Sequence, residues 1–332
     1  MKLISFDPNS SLPKYRQIVL AIEIAIAENR LQRNEKLPSI NKVSLEFSIS
    51  RDTVLLAYEE LKKRGIIYAI LGKGYYVKSV EFSFEQRIFL LFDELNAFKE
   101  EIYNSFLKAI DNKAQVDIFF HHFNMEMFTK LVNESNGNYS KYIIMPTNLV
   151  GAAAVIKTLP KQDVYILDQT NVALKDYPSV HQNFVKDLYT ALSKGKKLID
   201  KYQKLLLIYP GDKEPVGMVE GFKLFCDENA IPNEIIPNFE NQEIGEGNVY
   251  IIPNDTHLVQ VIEQSKKQKL ILGTDFGIIS YNDIPLKKVV ENGITTISTN
   301  FSEMGKNLAT MVLNSQKKQI ENPSELIIRN SL

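Results

Sequence analysis

The sequence predicts a mixed α/β protein in two parts: a small N-terminal unit of helices and one hairpin, then a larger unit of parallel sheets. Two short segments of helical period are separated by a few polar residues and followed by a glycine-tipped pair of strand patterns. Beyond them, continuous apolar runs of strand length alternate with helical segments. A length of 332 residues with 44% apolar side chains allows a sizeable core in two or three domains.

The N-terminal unit has the pattern of a helix-turn-helix. Leu37-Pro38-Ser39 is the predicted start of the first helix, where Pro38 fixes φ and Ser39 is able to cap the amides of a helix running through Val43 and Phe47. Residues 48–50 form the predicted turn, and Ser50 is able to cap the second helix. Apolar positions then recur at helical spacing until Gly65 ends the helix.

A hairpin is predicted directly after the second helix. Two strands, at residues 66–70 and 75–77, are joined by Leu71-Gly72-Lys73-Gly74. The glycines allow the positive φ of a tight turn and place Lys73 at its tip, within reach of a phosphate or a minor groove.

The start of the second helix suggests contact with DNA, because it carries Arg51, Asp52 and Thr53. A recognition helix places its N-terminal side chains on base edges and phosphates. Each feature also has an ordinary interpretation, since Arg51 alone is compatible with a solvated helix start and a Gly-Lys-Gly turn is often only a turn. Their order and spacing together favour DNA binding.

Residues 12–78 resemble the winged helix-turn-helix of GntR-family transcription regulators. The matching segments are LPKYRQI (12–18), NEKLPS (34–39), SRDTV (50–54) and GKGYYV (72–77). The resemblance implies a dimer on a short palindromic operator, with Arg51 and Thr53 on bases or phosphates and the wing near the minor groove. The candidate DNA-binding residues are Lys36, Ser39, Asn41, Ser50, Arg51, Asp52, Thr53, Gly72, Lys73 and Gly74.

Two positions depart from this family pattern. Many members carry one arginine two positions after the Pro-Ser serine and another one turn into the recognition helix, whereas this chain has Asn41 and Leu55. The operator sequence therefore cannot be carried over from the family.

The charge distribution is consistent with a DNA-binding N-terminal unit. Residues 1–80 contain 13 Lys and Arg against 8 Asp and Glu, and the remainder contains 26 against 32. Positive charge therefore gathers in the unit expected to meet phosphates, although the whole chain has a formal net charge of −1.

Composition also predicts the compartment. The single cysteine, Cys226, cannot form an internal disulfide, which fits a reducing environment. No apolar run is long enough to span a membrane, and the beginning of the chain lacks a signal-peptide core. We expect a cytoplasmic protein.

Residues 79–86 are predicted to link the two units. They alternate acidic and aromatic residues and lack the Gly and Ser of a floppy tether. Strands are then predicted at 88–92, 116–120, 142–145, 164–167, 205–209, 249–252 and 277–281, with helices such as 98–110, 125–132, 184–192 and 219–229 between them. Such alternation is typical of parallel sheets buried on both faces.

Polar residues follow the carboxyl ends of these strands, where parallel sheets bind ligands. The series contains Asp93, Glu94, Asn96, Thr147, Asn148, Asp168, Gln169, Gly211, Asp212, Asn254, Asp255, Asn282 and Asp283. Loops after strands are polar in any protein, but repetition along one rim favours a polar pocket.

Residues 87–332 resemble the type I periplasmic-binding-protein fold that serves as the effector domain of LacI-family regulators. The clearest matches are IISYND (278–283), ITTIS (294–298) and EMG (303–305). The resemblance implies two α/β lobes crossed by three hinge strands, with a sugar or purine between them and lobe closure relayed to the DNA-binding unit. We expect a DNA-binding domain at 1–78, lobe one at about 87–181 and 300–317, and lobe two at about 182–299 and 318–332.

By matching position, this resemblance also gives candidate ligand contacts. Carboxylates and amides suit a polyhydroxyl ligand, and an aromatic ring suits an apolar sugar face. By matching position the candidate effector-binding residues are Asp93, Asn148, Asp168, Asn183, Asn254, Tyr281, Asn282 and Thr299, and to these we add Asn96 from the polar rim, Phe98 as an aromatic cover, and Met218.

Met218 is the main departure from the fold's usual pattern. The fold commonly presents an arginine at this position, three residues before the Gly-Phe pair, where it grips the ligand. Without that arginine we expect a neutral sugar, such as a pentose or a deoxyhexose whose methyl group meets Met218, and no strongly anionic effector. Arabinose-responsive repressors combine a GntR-like reader with a LacI-like sensor, so a monosaccharide-controlled repressor is the favoured analogy.

An enzyme is disfavoured. The four histidines lack metal-ligand spacing, no glycine-rich phosphate loop is present, and Cys226 has no base beside it in the sequence pattern. No cofactor, metal or membrane partner is expected. The competing interpretation is a sugar receptor whose winged helix docks a protein and never touches DNA.

Overall fold

A computed structural model describes residues 3–6, 13–80, 86–111, 113–211 and 213–332. The N-terminal unit, called the head below, is a winged helix-turn-helix. Its elements are α1 (Lys14–Ala27), α2 (Ile40–Phe47), α3 (Arg51–Lys63), β1 (Ile67–Ile70) and β2 (Gly74–Val77).

Side-chain caps begin α2 and α3, as the sequence predicts. Ser39 Oγ accepts a hydrogen bond from the Lys42 amide at 3.2 Å, and Ser50 Oγ accepts one from the Thr53 amide at 3.1 Å. Gly65, at φ 69°, follows the end of α3 in the left-handed region. β1 and β2 form the predicted antiparallel hairpin, with β2 beginning at Gly74.

The larger unit contains two six-stranded sheets and their covering helices. Its strands are β3 (Gln86–Phe92), β4 (Ala114–Phe120), β5 (Lys141–Ile144), β6 (Val164–Asp168), β7 (Ser179–His181), β8 (Lys204–Ile208), β9 (Asn233–Ile236), β10 (Asn248–Ile252), β11 (Gly277–Tyr281), β12 (Thr295–Thr299), β13 (Gln319–Glu321) and β14 (Ser324–Ile327). Its α-helices are α4 (Ala97–Ile110), α5 (Met125–Ser135), α6 (Ala152–Ile156), α7 (Phe184–Ile199), α8 (Gly217–Glu228), α9 (Asp255–Gln268) and α10 (Phe301–Leu313). Short 3₁₀ turns occupy Lys161–Asp163, Val172–Leu174, Pro285–Lys288 and Val290–Asn292.

The prediction of parallel sheets is confirmed, with one antiparallel exception. The first sheet has the order β13-β7-β6-β5-β3-β4 and is parallel throughout. The second has the order β14-β12-β11-β10-β8-β9, and only β14 runs antiparallel to its neighbour. All seven predicted strands are present, each within two residues at either end.

Alternating side chains bury both faces of each sheet. On β3, Ile88, Leu90 and Phe92 pack in a cluster with residues of α4 and α10, whereas Phe89 and Leu91 pack in a second cluster with residues of α5 and α6. Apolar clusters likewise include residues from both faces of the second sheet. This arrangement explains why the strands appear in the sequence as continuous apolar runs.

The predicted border of lobe one at residue 317 is wrong. β13 pairs with β7, so residues 319–321 belong to the first sheet and not to lobe two. The pairing supplies the edge of β7 with hydrogen bonds that the sequence pattern does not reveal. The last crossing between the sheets therefore lies between β13 and β14.

Asn322 connects the three crossings between the sheets. It is completely buried, and its amide donates to the His181 carbonyl at 2.7 Å, where β7 ends. Its side-chain nitrogen donates to Thr299 Oγ1 at 2.6 Å and to the Asn300 carbonyl at 3.0 Å, where β12 ends. Thr299 Oγ1 in turn donates to the Pro323 carbonyl at 2.8 Å, so each crossing is hydrogen bonded to another.

The head contacts lobe one through the N-terminal end of α1. Arg16 Nη2 donates to the Asn138 carbonyl at 3.2 Å, and Tyr15 Oη donates to Asn138 Oδ1 at 3.5 Å. Pro13 lies against Gly137, where an added Cβ would stand 2.1 Å from Pro13 Cδ. Of the predicted linker at 79–86, residues 81–85 lie outside the described residues, and Gln86 belongs to β3.

Gly305 permits the close crossing of α10 over α4. A Cβ at this position would lie 2.5 Å from the Ile102 carbonyl oxygen and 2.9 Å from the Phe106 nitrogen. Gly305→Ala is expected to lower the free energy of unfolding by about 1–3 kcal/mol, because the backbones must move apart. Chemical denaturation measures this loss. Lys306→Ala, exposed on the same helix, is the control and should change stability by less than about 0.5 kcal/mol; equal stability of the two variants would contradict the prediction.

Candidate nucleic-acid interface and effector cleft

The exposed beginning of α3 presents the side chains predicted to contact DNA. Ser50, Arg51 and Asp52 are exposed, and Thr53 is partly exposed with its Oγ1 2.7 Å from Ser50 Oγ. Tyr58, completely buried on the other face of α3, donates to the Pro38 carbonyl at 2.8 Å and so ties α3 to the start of α2. Ser39 and Asn41 are exposed at that start.

The wing brings together the remaining predicted DNA contacts. Gly72 and Gly74 have φ of 73° and 108°, which supports the tight turn that exposes Lys73. Lys36 reaches the wing from outside the hairpin, with Nζ 5.9 Å from the centre of the Tyr76 ring. One lysine therefore lies at the tip of the wing and another lies beside it.

A cavity of about 300 Å³ lies between the two lobes at the carboxyl ends of their strands. The loops after β3 and β6 and the start of α4 contribute from lobe one, and the loops after β8, β10 and β11 contribute from lobe two. Eight predicted effector-binding residues line it: Asp93, Asn96, Phe98, Asp168, Met218, Asn254, Tyr281 and Asn282.

The other three predicted contacts do not line this cavity. Asn148 donates from Nδ2 to the Glu214 carbonyl at 2.8 Å and so bridges the lobes. Asn183 caps α7 and donates to Glu321 at 3.1 Å. Thr299 uses its hydroxyl to accept from Asn322 and to donate to the Pro323 carbonyl, at the crossings between the sheets. The polar groups of these three residues form hydrogen bonds between elements of the protein. Their sequence positions are the same as those of ligand contacts, so the sequence alone does not separate the two roles.

Sequence reasoning missed two buried lysines of the cavity. Lys99 is 4% exposed and forms an ion pair with Asp93, and Lys287 is 2% exposed and pairs with Asp255 at 2.7 Å. Lys287 Nζ also donates to the Tyr281 carbonyl at 2.5 Å. Lysines in helical or loop segments are usually solvated, so only the three-dimensional pairing reveals them.

Gln182 is the third missed residue and lies beside Asp168. Its Nε2 donates to Asp168 Oδ1 at 2.6 Å, and both side chains are buried. Burial raises the pKa of Asp168 to about 6, although Lys99 and the Gln182 hydrogen bond act in the opposite direction. Asp168 is therefore a carboxyl group whose charge is costly in the free protein.

Tyr281 closes the cavity beside these groups. It is 2% exposed, and its hydroxyl has no hydrogen-bond partner among the described residues. Burial, with smaller contributions from Asp187 and Asp168, raises the pKa of Tyr281 well above its usual range. The hydroxyl therefore stays protonated and is available to a ligand.

The described part of the chain holds no group of three or more His, Cys, Asp and Glu residues placed to bind a metal ion. Within the same residues, no helix combines the length and apolar character needed to cross a membrane.

Two family models match separate parts of the chain. Residues 14–77 match bacterial regulatory proteins of the gntR family, and residues 202–332 match the periplasmic binding protein-like domain. These matches agree with the two resemblances drawn from the sequence motifs.

Curated relatives match short stretches of the chain. The HTH-type transcriptional repressor YtrA of Bacillus subtilis is 33% identical over 75 residues, which are 23% of this chain and 58% of the relative. The mannosyl-D-glycerate transport/metabolism system repressor MngR of Escherichia coli is 33% identical over 107 residues, covering 32% and 41%. The arabinose metabolism transcriptional repressor of Geobacillus stearothermophilus is 37% identical over 67 residues, covering 20% and 18%. The chain thus spans less than two thirds of each relative.

Solved structures match most of the chain. A Lac repressor bound to ONPG superposes with a TM-score of 0.62 at 17% identity, covering 87% of this chain and 94% of that one. A LacI family regulator from Enterococcus faecium with bound ribose gives 0.60 at 18% identity, covering 74% and 98%. At these identities the similarity establishes the fold alone.

Asp187 predicts how stability depends on pH. It is 7% exposed, and its Oδ2 has no hydrogen-bond partner within the described ranges. Burial and then Glu321 raise its pKa from 3.8 to about 7. The folded state therefore holds this proton more tightly than the unfolded state. The contribution of protonated Asp187 to stability is fully present below about pH 4 and is lost as the pH rises through about 7.

Asp187→Asn removes this titration. At pH 8 the variant is expected to be more stable than the wild type by on the order of 3 kcal/mol, and the difference should shrink toward pH 4. Urea denaturation across this pH range measures it. Asp227→Asn, at an exposed site on α8, serves as the control and should show no such trend; a gain independent of pH at position 187 would refute the explanation.

Proposed function

We propose that the protein is a transcription regulator controlled by a sugar, because residues 14–77 match the gntR family of bacterial regulatory proteins and the larger unit has a LacI-like, periplasmic-binding-protein-like fold. The head binds an operator in double-stranded DNA, and the cleft binds a small sugar that carries no negative charge, for which a neutral monosaccharide is the simplest case. We further propose a cytoplasmic homodimer without enzymatic activity. The observation that carries the proposal is the polar cleft between two lobes in a chain whose head exposes Arg51.

The head provides both kinds of contact that a DNA reader needs. Arg51, at the N-terminal end of α3, is placed to enter a major groove and reach bases or phosphates. Lys73 and Lys36 at the wing are suited to phosphates and the adjacent minor groove. Two heads related by a two-fold axis would then occupy successive grooves of a palindromic operator.

Charge pairing in the cleft argues against an anionic effector. Lys99, Lys287 and Lys213 each form an ion pair with a carboxylate of the cavity lining. An anionic ligand would have to displace one of these carboxylates, which is costly for the buried pairs. A cavity of about 300 Å³ is at the lower end of ligand-pocket sizes, which suits a single sugar ring.

The contact between α1 and lobe one offers a route from the cleft to the head. Pro13 and Arg16 rest on Gly137 and Asn138, so a movement of lobe one moves α1 with it. An effector that closes the lobes and releases DNA must, by linkage, bind the DNA complex less tightly than the free protein. We propose release by the sugar, an arrangement supported by the repressor names of the relatives.

The DNA-binding part is tested by selecting genomic fragments with the purified full chain at low salt and measuring their affinity by fluorescence anisotropy. Arg51→Ala is expected to weaken binding by about 1–3 kcal/mol and relax specificity, because a base contact is lost. Lys73→Ala is expected to weaken binding evenly across sequences and to lower the salt slope by about 1.

Lys130→Ala, exposed on α5, is the matched control for lost positive charge and should bind as the wild type does. If the wild type retains no fragment at low salt, the proposal fails and the competing interpretation, a head that docks a protein, is favoured.

The relay is tested at Gly137, with a sugar chosen by a thermal-shift screen of monosaccharides. Gly137→Ala drives a Cβ into Pro13 and is expected to reduce the coupling between sugar and operator, typically about 1–3 kcal/mol, toward zero while sugar affinity persists.

Gly151→Ala is the matched control, because Gly151 also has a positive φ, at 92°, but its added Cβ would meet only Met125 Cε, at 3.6 Å. Equal loss of coupling in both variants would show that backbone strain, and not head contact, matters. A wild-type complex that the sugar tightens would reverse the proposed sign.

A further inference from the structure

Buried polar groups of the cleft include a hydrogen-bond acceptor without a partner among the described residues. Gln182 is 6% exposed, and its Nε2 donates to Asp168, which fixes the orientation of the amide. The opposite atom, Gln182 Oε1, is buried and has no hydrogen-bond partner among the described residues. An unpaired buried acceptor is costly, so this atom calls for a donor from the ligand.

Asp168 adds a negative charge at the same place. It is 4% exposed and forms no ion pair within the described part of the chain. The three lysines of the lining are already paired with Asp93, Glu94 and Asp255. Five carboxylates face three ammonium groups in the lining, so the cavity has a surplus of negative charge.

Tyr281 completes this group of side chains on the lobe-two side. The residue is only 2% exposed, and its hydroxyl is buried and has no hydrogen-bond partner among the described residues. A hydroxyl both donates and accepts. The Tyr281 hydroxyl is therefore able to donate to a sugar hydroxyl and to accept, at the same time, from a ligand group that also donates to Asp168.

We propose that the effector is an amino sugar whose protonated amine binds between Asp168, Gln182 and Tyr281. An ammonium group has three donors and no acceptor, which matches a carboxylate, an amide oxygen and a phenol oxygen. A hydroxyl at this point has one hydrogen to donate and leaves Asp168 without an ion-pair partner. This inference rests on the proposed function and refines it, since the remaining ring hydroxyls meet the other polar groups of the cleft as a neutral sugar would.

The test compares matched pairs of sugars by isothermal titration calorimetry on the full chain at pH 7.5. The probes are D-glucosamine, D-galactosamine and D-mannosamine, each against its parent hexose and its N-acetyl derivative. At least one amine is expected to bind about tenfold or more tightly than both of its relatives, because a charged hydrogen bond replaces a neutral one.

Asp168→Asn keeps an acceptor for Gln182 and removes the charge, so it should bring the ratio of amine to parent affinity to about 1. Asp176→Asn, exposed in lobe one and outside the lining, is the control and should keep the wild-type ratio. The wild-type ratio decides the question even if the Asp168 variant fails to fold.

Equal or tighter binding of a parent hexose or N-acetyl derivative overturns the inference and leaves a sugar-controlled regulator intact. Binding of none of these probes also overturns it. Failure to retain any genomic fragment, by contrast, bears on the proposed function and leaves the amine preference measurable.

Discussion

The hydrogen bonds of Asn322 are the constraint on which the rest of this molecule depends. One buried side chain and its own amide join the ends of β7 and β12, and the adjacent Pro323 carbonyl ties in the start of β14. The two sheets are therefore held so that their carboxyl ends face a common space. Losing a buried amide of this kind costs more than a surface hydrogen bond, because its partners remain buried without substitutes.

This geometry makes the cleft a place where polar groups from distant parts of the chain are concentrated. Residues that follow β3 and β6 meet residues that follow β10 and β11. The buried lysines of the lining form ion pairs with carboxylates of the same lining. The carboxylate of Asp168, which forms no ion pair within the described residues, accepts a hydrogen bond from Gln182 and is buried. Specificity in such a site arises from what the protein leaves unpaired as much as from what it pairs.

Much of the fold was accessible from sequence because burial on both faces produces long apolar runs, as in β3 and β8. Edge strands are harder to predict, because they are not buried on both faces. β13 has two exposed residues of three, and β9 has only two apolar residues at its end, so neither forms a long apolar run; the predicted border of lobe one is wrong because β13 is missed. Eight of the predicted effector contacts line the cleft because they lie at the ends of strands, in the loops that follow, or in the first turn of a helix that begins at the same edge. Lys99 was not predictable in this way, since its burial depends on a partner, Asp93, fixed by tertiary structure.

The seating of Pro13 on Gly137 has a consequence for the thermodynamics of DNA recognition. A reading head that swings on a tether must surrender rotational freedom each time it engages a groove, and that loss weakens association. Here α1 is already oriented by direct contact with lobe one. Much of the loss of rotational entropy thus occurs during folding and not on binding DNA. The spacing between two heads is then set by the larger units to which they are attached.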